Sequence, residues 1–440
     1  MSIIFLCFIL NATNTNCGFI VSDFKDLKKR MLNWANQFGI FCFLDNHNYQ
    51  IGPHSIECIL ATGVKREFKA EPGTALKDLQ KFIDSKPCWL FGHLGYDLKN
   101  EIEDLYSLSQ NHIQFSSTYF FEPKIIIRLS EKEINIDCDE NAEMIFKQIM
   151  ETPAEESRDS SFIPFELQQR FSKADYLETV NNLKRHILRG DCYEINFCNE
   201  FFAENVTIDP LSVYKKLSSF SPNPFSALYK TEDKFLICAS PERFLKKEAD
   251  RILSQPIKGT SSRFLKDESK DALSKKKLSE SSKDRSENVM VVDLVRNDLS
   301  RFCKEGSVTV EELYGIYSFP QVHQMISTVS GKLKENISFQ EIIKATFPMG
   351  SMTGAPKKRV MELIEKYERS GRGIFSGALG YITDEGDFDF NVVIRSIMYN
   401  ATVKYVSYLA GSGITFNSEP EEEYEECLLK AEAMKMSLKH

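Results

Sequence analysis

Residues 388–434 read FDFNVVIRSIMYNATVKYVSYLAGSGITFNSEPEEEYEECLLKAEAM. Two runs rich in β-branched and aromatic residues, Phe388 to Met398 and Val403 to Ala410, are separated by a short polar turn and read as neighbouring strands. Gly411 and Gly413 flank Ser412 where the second strand ends, a composition that can turn backbone N–H groups towards an anion. Pro420 then opens a helix, as proline does at a first helical position. Strands that follow one another directly, with helices set between groups of strands, give an α+β class rather than a regular βαβ rhythm.

Working outward, a helix is expected from Asp23 to Phe38, with Leu27, Met31 and Trp34 on its buried face. Short strands are expected at Phe41 to Leu44, Ile56 to Leu60 and Trp89 to Phe91, and a strand or hairpin at Lys124 to Asp139 before a helix at Ala142 to Met150. The polar run ETPAEESRDSSF divides an N-terminal region, 1–150, from a C-terminal domain, 171–440, with 151–170 as linker or surface excursion. Beyond it, Asp175 to Arg189 is an amphipathic helix and Lys234 to Ala239 a strand. Ser338 with Glu341 forms a capping box. Pro356 begins a helix that Gly371 follows. The apolar run Ile3 to Leu10 is too short to span a membrane and lacks a cleavage site, so it reads as a strand.

Composition narrows the partners. The chain has 440 residues, 63 acidic against 55 basic, and a net charge of −8, which argues against nucleic acid or an acidic membrane. Eleven cysteines without a CxxC pair, and seven scattered histidines without HExxH, point to a reducing, cytoplasmic setting without disulfides or zinc.

Asp284 with Glu287, and Glu423 with Glu426, are carboxylate pairs three residues apart, each sharing one face if helical. Oxygen ligands from two helices suit Mg²⁺, although acidic runs on solvated helices are also ordinary. Arg395, inside an apolar strand, needs either an anionic ligand or a buried acidic partner. Glu242 in ICASPERF and Lys258 in QPIKGTSSR follow apolar runs. A buried glutamate can hold a proton near neutrality, and a desolvated lysine can act as nucleophile, but exposed loop residues of both types are common. FPMGSMTGAPKKR lacks the GxxxxGK[ST] pattern, which excludes a P-loop.

Read together, SPERF, PIKGT, ENVMVVDLVRNDLSR, FPMGSMTGAPKKR, RGIFSGALGYI, VVIRSI and GSGI…SEPEEEYEECLLKAEA resemble, in this order, the chorismate-binding family. The likeness runs from about Phe171 to the end, and FGHLGYDLKNEIEDL resembles the family's N-terminal region. It implies an anthranilate synthase component I-like fold, with two large antiparallel sheets packed as a sandwich inside outer helices. It implies Mg²⁺ at Glu287, Glu423 and Glu426, with Asp284 contributing, and substrate binding by Arg395, Tyr381, Thr260, Gln324 and the backbone of Gly411, Ser412 and Gly413. Glu242 becomes the acid that protonates the departing C4 hydroxyl.

Within the family, PIKGT resembles the aminodeoxychorismate synthase component I pattern, in which Lys258 adds at C2 and ammonia then enters at C4. Glu194 stands where water-adding members carry a base lysine, and a role beside the ammonia is expected for it. No glutamine amidotransferase signature is present, so a separate glutaminase subunit is expected to supply ammonia. The implied product is 4-amino-4-deoxychorismate, for folate synthesis. Anthranilate synthase component I, an isochorismate synthase and an inactive binding homologue are the alternatives. Ser261, Gln324 and Cys427 depart from the family pattern.

Overall fold

A computed structural model describes residues 16–49, 57–71, 73–107, 109–155, 164–319 and 322–439. The expected strand at Ile3 to Leu10 and the middle of the polar linker lie outside these residues. Every paired strand is antiparallel to its neighbours. One limb of the sheet runs from Glu133–Cys138 through Thr118–Leu129, Cys58–Lys69, Ile40–Asp45, Phe225–Thr231, Lys234–Ser240, Ser396–Asn400 and Tyr405–Ile414 to Glu194–Ala203. The other limb runs from Leu90–Leu94 through Ala378–Ile382, Phe388–Val392, Arg243–Glu248 and Arg251–Gln255 to Val322–Lys332. Thr118–Leu129 joins them, because its first half pairs with Leu90–Leu94 and its second half with Glu133–Cys138.

The period-2 alternation of side chains explains the layers. Phe235, Ile237 and Ala239 face one apolar cluster, shared with the helices Phe24–Ala35, Lys173–Leu188 and Pro420–Ser437. Leu236 and Cys238, on the opposite face of the same strand, enter a second cluster that draws residues from both limbs. Strands from before and after the polar linker pair directly, as Ile40–Asp45 does with Phe225–Thr231 and Leu90–Leu94 with Ala378–Ile382. The described residues before and after the linker therefore share sheet and core.

The expected helices at 23–38, 142–150 and 175–189 are present within a few residues, and the Ser338–Glu341 capping box is formed on both sides. Three local readings differ. The run Phe388 to Met398 is two strands, because Arg395 takes a left-handed backbone (φ 49°) between Phe388–Val392 and Ser396–Asn400. The glycines at 411 and 413 do not end their strand; the ladder with Glu194–Ala203 continues to Ile414. The helix begun after Pro356 stops at Tyr367, well before Gly371, because Glu368 leaves helical geometry and turns its carboxylate to Arg372. No disulfide joins the described cysteines, and no described helix is long and apolar enough to cross a membrane.

Candidate active site

The strand Ile257–Ser262 carries Lys258, and the strand Glu194–Ala203 begins with Glu194. Lys258 Nζ donates to Glu194 Oε1, with the two side chains only 10% and 3% exposed. Burial works against the Lys258 ammonium, but Glu194, Glu287 and Glu426 outweigh it and hold its pKa well above the ordinary lysine value. At rest the lysine is therefore protonated, and the group its ammonium touches is the Glu194 carboxyl. Gly413 lies against this pair: a Cβ there would sit 2.6 Å from Glu194 Oε1 and 2.8 Å from Lys258 Nζ. Gly259, at φ 85°, is similarly pressed against Asp284. Lys258 thus belongs to a strand, not to the loop its sequence suggests.

Glu242 follows Pro241 in the link between the strands Lys234–Ser240 and Arg243–Glu248. It is 4% exposed, and Ser351 Oγ donates to its Oε1 at 2.6 Å. Burial raises its pKa to about 7, against the opposing pull of Ser351, Lys258, the Ile257 backbone and Arg395. Arg395 has no side-chain hydrogen bond or ion pair among the described residues, so the buried acidic partner weighed for it is not found. Burial brings its pKa down to about 10, and Glu242 is the charged group that acts on it. A half-buried guanidinium without a side-chain partner among the described residues suits an anionic ligand.

The acidic pairs sit on the helices Ser282–Ser300 and Pro420–Ser437. Glu423 is 1% exposed, which removes the reading of a solvated face for it. Lys283 reaches across to Glu423 at 3.1 Å, and Lys430 pairs with Glu426 at 2.8 Å while also donating to the Gly411 carbonyl. Glu287 Oε1 and Glu423 Oε2 are buried without hydrogen-bond partners. Burial brings the Glu287 pKa up to about 7, Lys258 and Lys283 opposing it and Glu194 and Glu426 reinforcing it. No group of three or more His, Cys, Asp or Glu among the described residues is assembled as a ready metal site. Two orphaned buried carboxylate oxygens on helices bridged by Lys283 and Glu423 nevertheless fit a hard cation.

Gln324 is fully buried and both its amide atoms lack partners, while Thr260, opposite it across the ladder, is exposed. Asn288, next to Glu287, accepts from Ser327 Oγ at 2.6 Å and leaves its Nδ2 unpartnered. Tyr381 is not brought to this cluster. Its ring stacks on Trp89 at 5.4 Å and lines a separate cavity with Asp45, Asn46, Glu57 and Asn391. Strand pairing with Leu90–Leu94 directs it there, a placement invisible in its local motif. Ser351, Asn288, Lys283 and Lys430 were the residues that spacing alone did not single out. Ser351 lay in a quoted motif without a role, and the two lysines gave no signal apart from neighbouring acids.

The sequence pattern described as chorismate binding enzyme matches residues 45–436. The chain belongs to this family. Aminodeoxychorismate synthase component 1 of Bacillus subtilis is 33% identical over 361 residues, covering 79% of this chain and 76% of its own. The aminodeoxychorismate synthase of Streptomyces pristinaespiralis is 40% identical over 282 residues, 64% of this chain but 39% of its own. The chain thus spans well under half the length of such larger relatives. Among solved structures, anthranilate synthase component I from Streptococcus pneumoniae superposes with a TM-score of 0.74 at 26% identity, covering 88% of this chain and 94% of its own. The menaquinone-specific isochorismate synthase of Escherichia coli gives 0.76 at 16% identity, with 96% and 94% covered, and shows the same fold. The expected α+β, component I-like architecture is therefore the observed one.

Proposed function

We propose that this protein aminates chorismate at C4, forming 4-amino-4-deoxychorismate from ammonia that a separate glutaminase subunit supplies. The observation that carries this reading is Lys258 bonded to Glu194, in the electrostatic reach of Glu242. Arg395 and the backbone of Gly411, Ser412 and Gly413 receive substrate carboxylate, and Gln324 and Asn288 offer further polar contacts. Glu287, Glu423 and Glu426, with Asp284 beside them, would hold Mg²⁺, which when bound screens the substrate's negative charge and so eases departure of hydroxyl.

Glu194 takes the proton from Lys258, and the free amine forms a bond to C2. Both ring double bonds shift, C1=C2 to C1=C6 and C5=C6 to C4=C5, and the C4 hydroxyl leaves as water with the proton of Glu242. Ammonia then bonds to C4, both double bonds shift back, and the C2–N bond breaks; the lysine recovers its proton from Glu194, and the new ammonium at C4 returns one to Glu242. Two successive displacements place nitrogen at C4; direct attack by ammonia at C2 leads towards anthranilate.

Relatives named as aminodeoxychorismate synthases support this choice over the anthranilate alternative, as does a lysine at position 258. Chorismate, Mg²⁺ and an ammonium salt are the test. 4-Aminobenzoate appearing only after a pyruvate-releasing lyase is added supports the reading, and fluorescent anthranilate without added enzyme contradicts it.

A further inference from the structure

Behind the site, one arginine ties together the two backbone segments that carry its proton-handling groups. Arg372 is 3% exposed and stacks over the Tyr96 ring at 4.7 Å. Its Nε donates to Glu368 Oε2 at 2.9 Å, and its Nη2 donates to Glu368 Oε1 at 2.6 Å and to the Asn196 carbonyl at 2.9 Å. Its Nη1 donates to the Met352 carbonyl at 2.7 Å and to Ser376 Oγ at 3.2 Å. All the donors of the guanidinium are thereby used. Glu368 Oε1 accepts in addition from the Cys198 backbone N–H at 2.9 Å, so the clamp grips the strand of Glu194 twice.

Met352 ends the short turn Gly350–Met352, in which Ser351 is the central residue. That turn is also held to the strand by the Asn196 amide on the Ser351 carbonyl (3.3 Å) and by the Asn196 N–H on the Thr353 carbonyl (2.7 Å). Ser351 Oγ, so fixed, donates to Glu242 Oε1. A carboxyl whose Oε1 is occupied as an acceptor carries its acidic proton on Oε2. The remaining groups acting on Glu242 are Lys258, the Ile257 backbone N–H and Arg395.

We propose that Arg372 is a positioning residue for the proton donor, holding Ser351 on Glu242 Oε1 so that Oε2 carries the proton delivered to the departing hydroxyl. This rests on the reading of Glu242 as the acid. Ser351 is the positioning contact on the carboxyl itself, and Arg372 acts through it. A lysine at 372 has three donors on one nitrogen and cannot serve Glu368, Met352 and Asn196 in their fixed directions.

The experiment is the pH profile of chorismate amination from about pH 6 to about pH 9, with free ammonia held constant and Mg²⁺ saturating. Ser351 stabilises the Glu242 carboxylate, so Ser351→Ala should move the alkaline limb of kcat upward by about one unit, the scale of a hydrogen bond to a charged group. KM for chorismate should change by less than about twofold, because binding is not touched. Ser351→Thr, which restores a hydroxyl, should return the limb towards its original place. Arg372→Lys should move the limb in the same direction, and the double variant should match Ser351→Ala alone, because the two act in series. A Ser351→Ala limb at the parent position, in a protein whose Glu242→Gln variant is inactive, would overturn the inference and leave the acid assignment standing. Glu242→Gln turning over at the parent rate would overturn both.

Discussion

Lys258 and Glu194 lie on separate strands, yet the lysine's ammonium donates directly to the glutamate's carboxylate, with Gly413 packed against both. In the proposed mechanism this contact supplies the acceptor for the proton that Lys258 must lose before its amine bonds to C2. Lys258→Ala should lower amination on the order of 10³-fold or more while chorismate binding largely survives, since the lost group acts only in the reaction. Rates at saturating substrate, together with a direct binding titration, check this. An unchanged rate contradicts the nucleophile.

Gly413 sets the space for that contact. A Cβ at this position cannot coexist with Glu194 Oε1 and Lys258 Nζ where they stand, so one of them must move. Gly413→Ala should reduce kcat by about 10- to 100-fold, the scale of a displacement near one ångström in a reacting group. Circular dichroism should show the fold retained, because the obstructing atoms are side-chain tips.

Glu242 should show opposite effects on rate and stability. Its proton is bound more tightly in the folded protein, at a pKa of about 7 against 4.5 in a free chain, so ionisation across that window opposes folding. Stability is lost as pH rises from 4.5 to about 7, and the full cost is present above it. Glu242→Gln should therefore stabilise the protein at pH 8 by up to about 3 kcal/mol and hardly at all near pH 4. Denaturant unfolding at the two pH values measures the difference. The same variant should lose about 10²- to 10⁴-fold in kcat, as expected for removal of a general acid.

Glu423 offers one oxygen to Lys283 and leaves the other buried without a partner. Glu423→Ala should raise the Mg²⁺ concentration needed for half-maximal chorismate binding by about tenfold or more. A Mg²⁺ titration indistinguishable from that of the parent contradicts a ligand role.

Much of this was legible in the chain because short-range physics decides it. Helix periodicity, the Ser338–Glu341 box and Pro420 act over a few residues, and they placed the helices. The i,i+3 spacing put Glu423 and Glu426 on one helical face. What local patterns cannot carry is strand pairing. Tyr381 sits in a motif near the site but pairs with Phe91, and that register sends its ring to Trp89. The break at Arg395 is a single left-handed residue that β-propensity reads straight through. That Glu194 meets Lys258 is likewise a product of pairing, since its strand and the one carrying Gly413 run side by side. Ser351 meets Glu242 across 109 residues, a separation that no spacing rule spans.

The most direct measurement of the account is the position of nitrogen in the product formed from chorismate and ¹⁵N-ammonium with Mg²⁺. Carbon–nitrogen coupling in the NMR spectrum should place the label at C4 of a non-aromatic ring that still bears its enolpyruvyl group. Label at C2, in aromatic anthranilate, would contradict it.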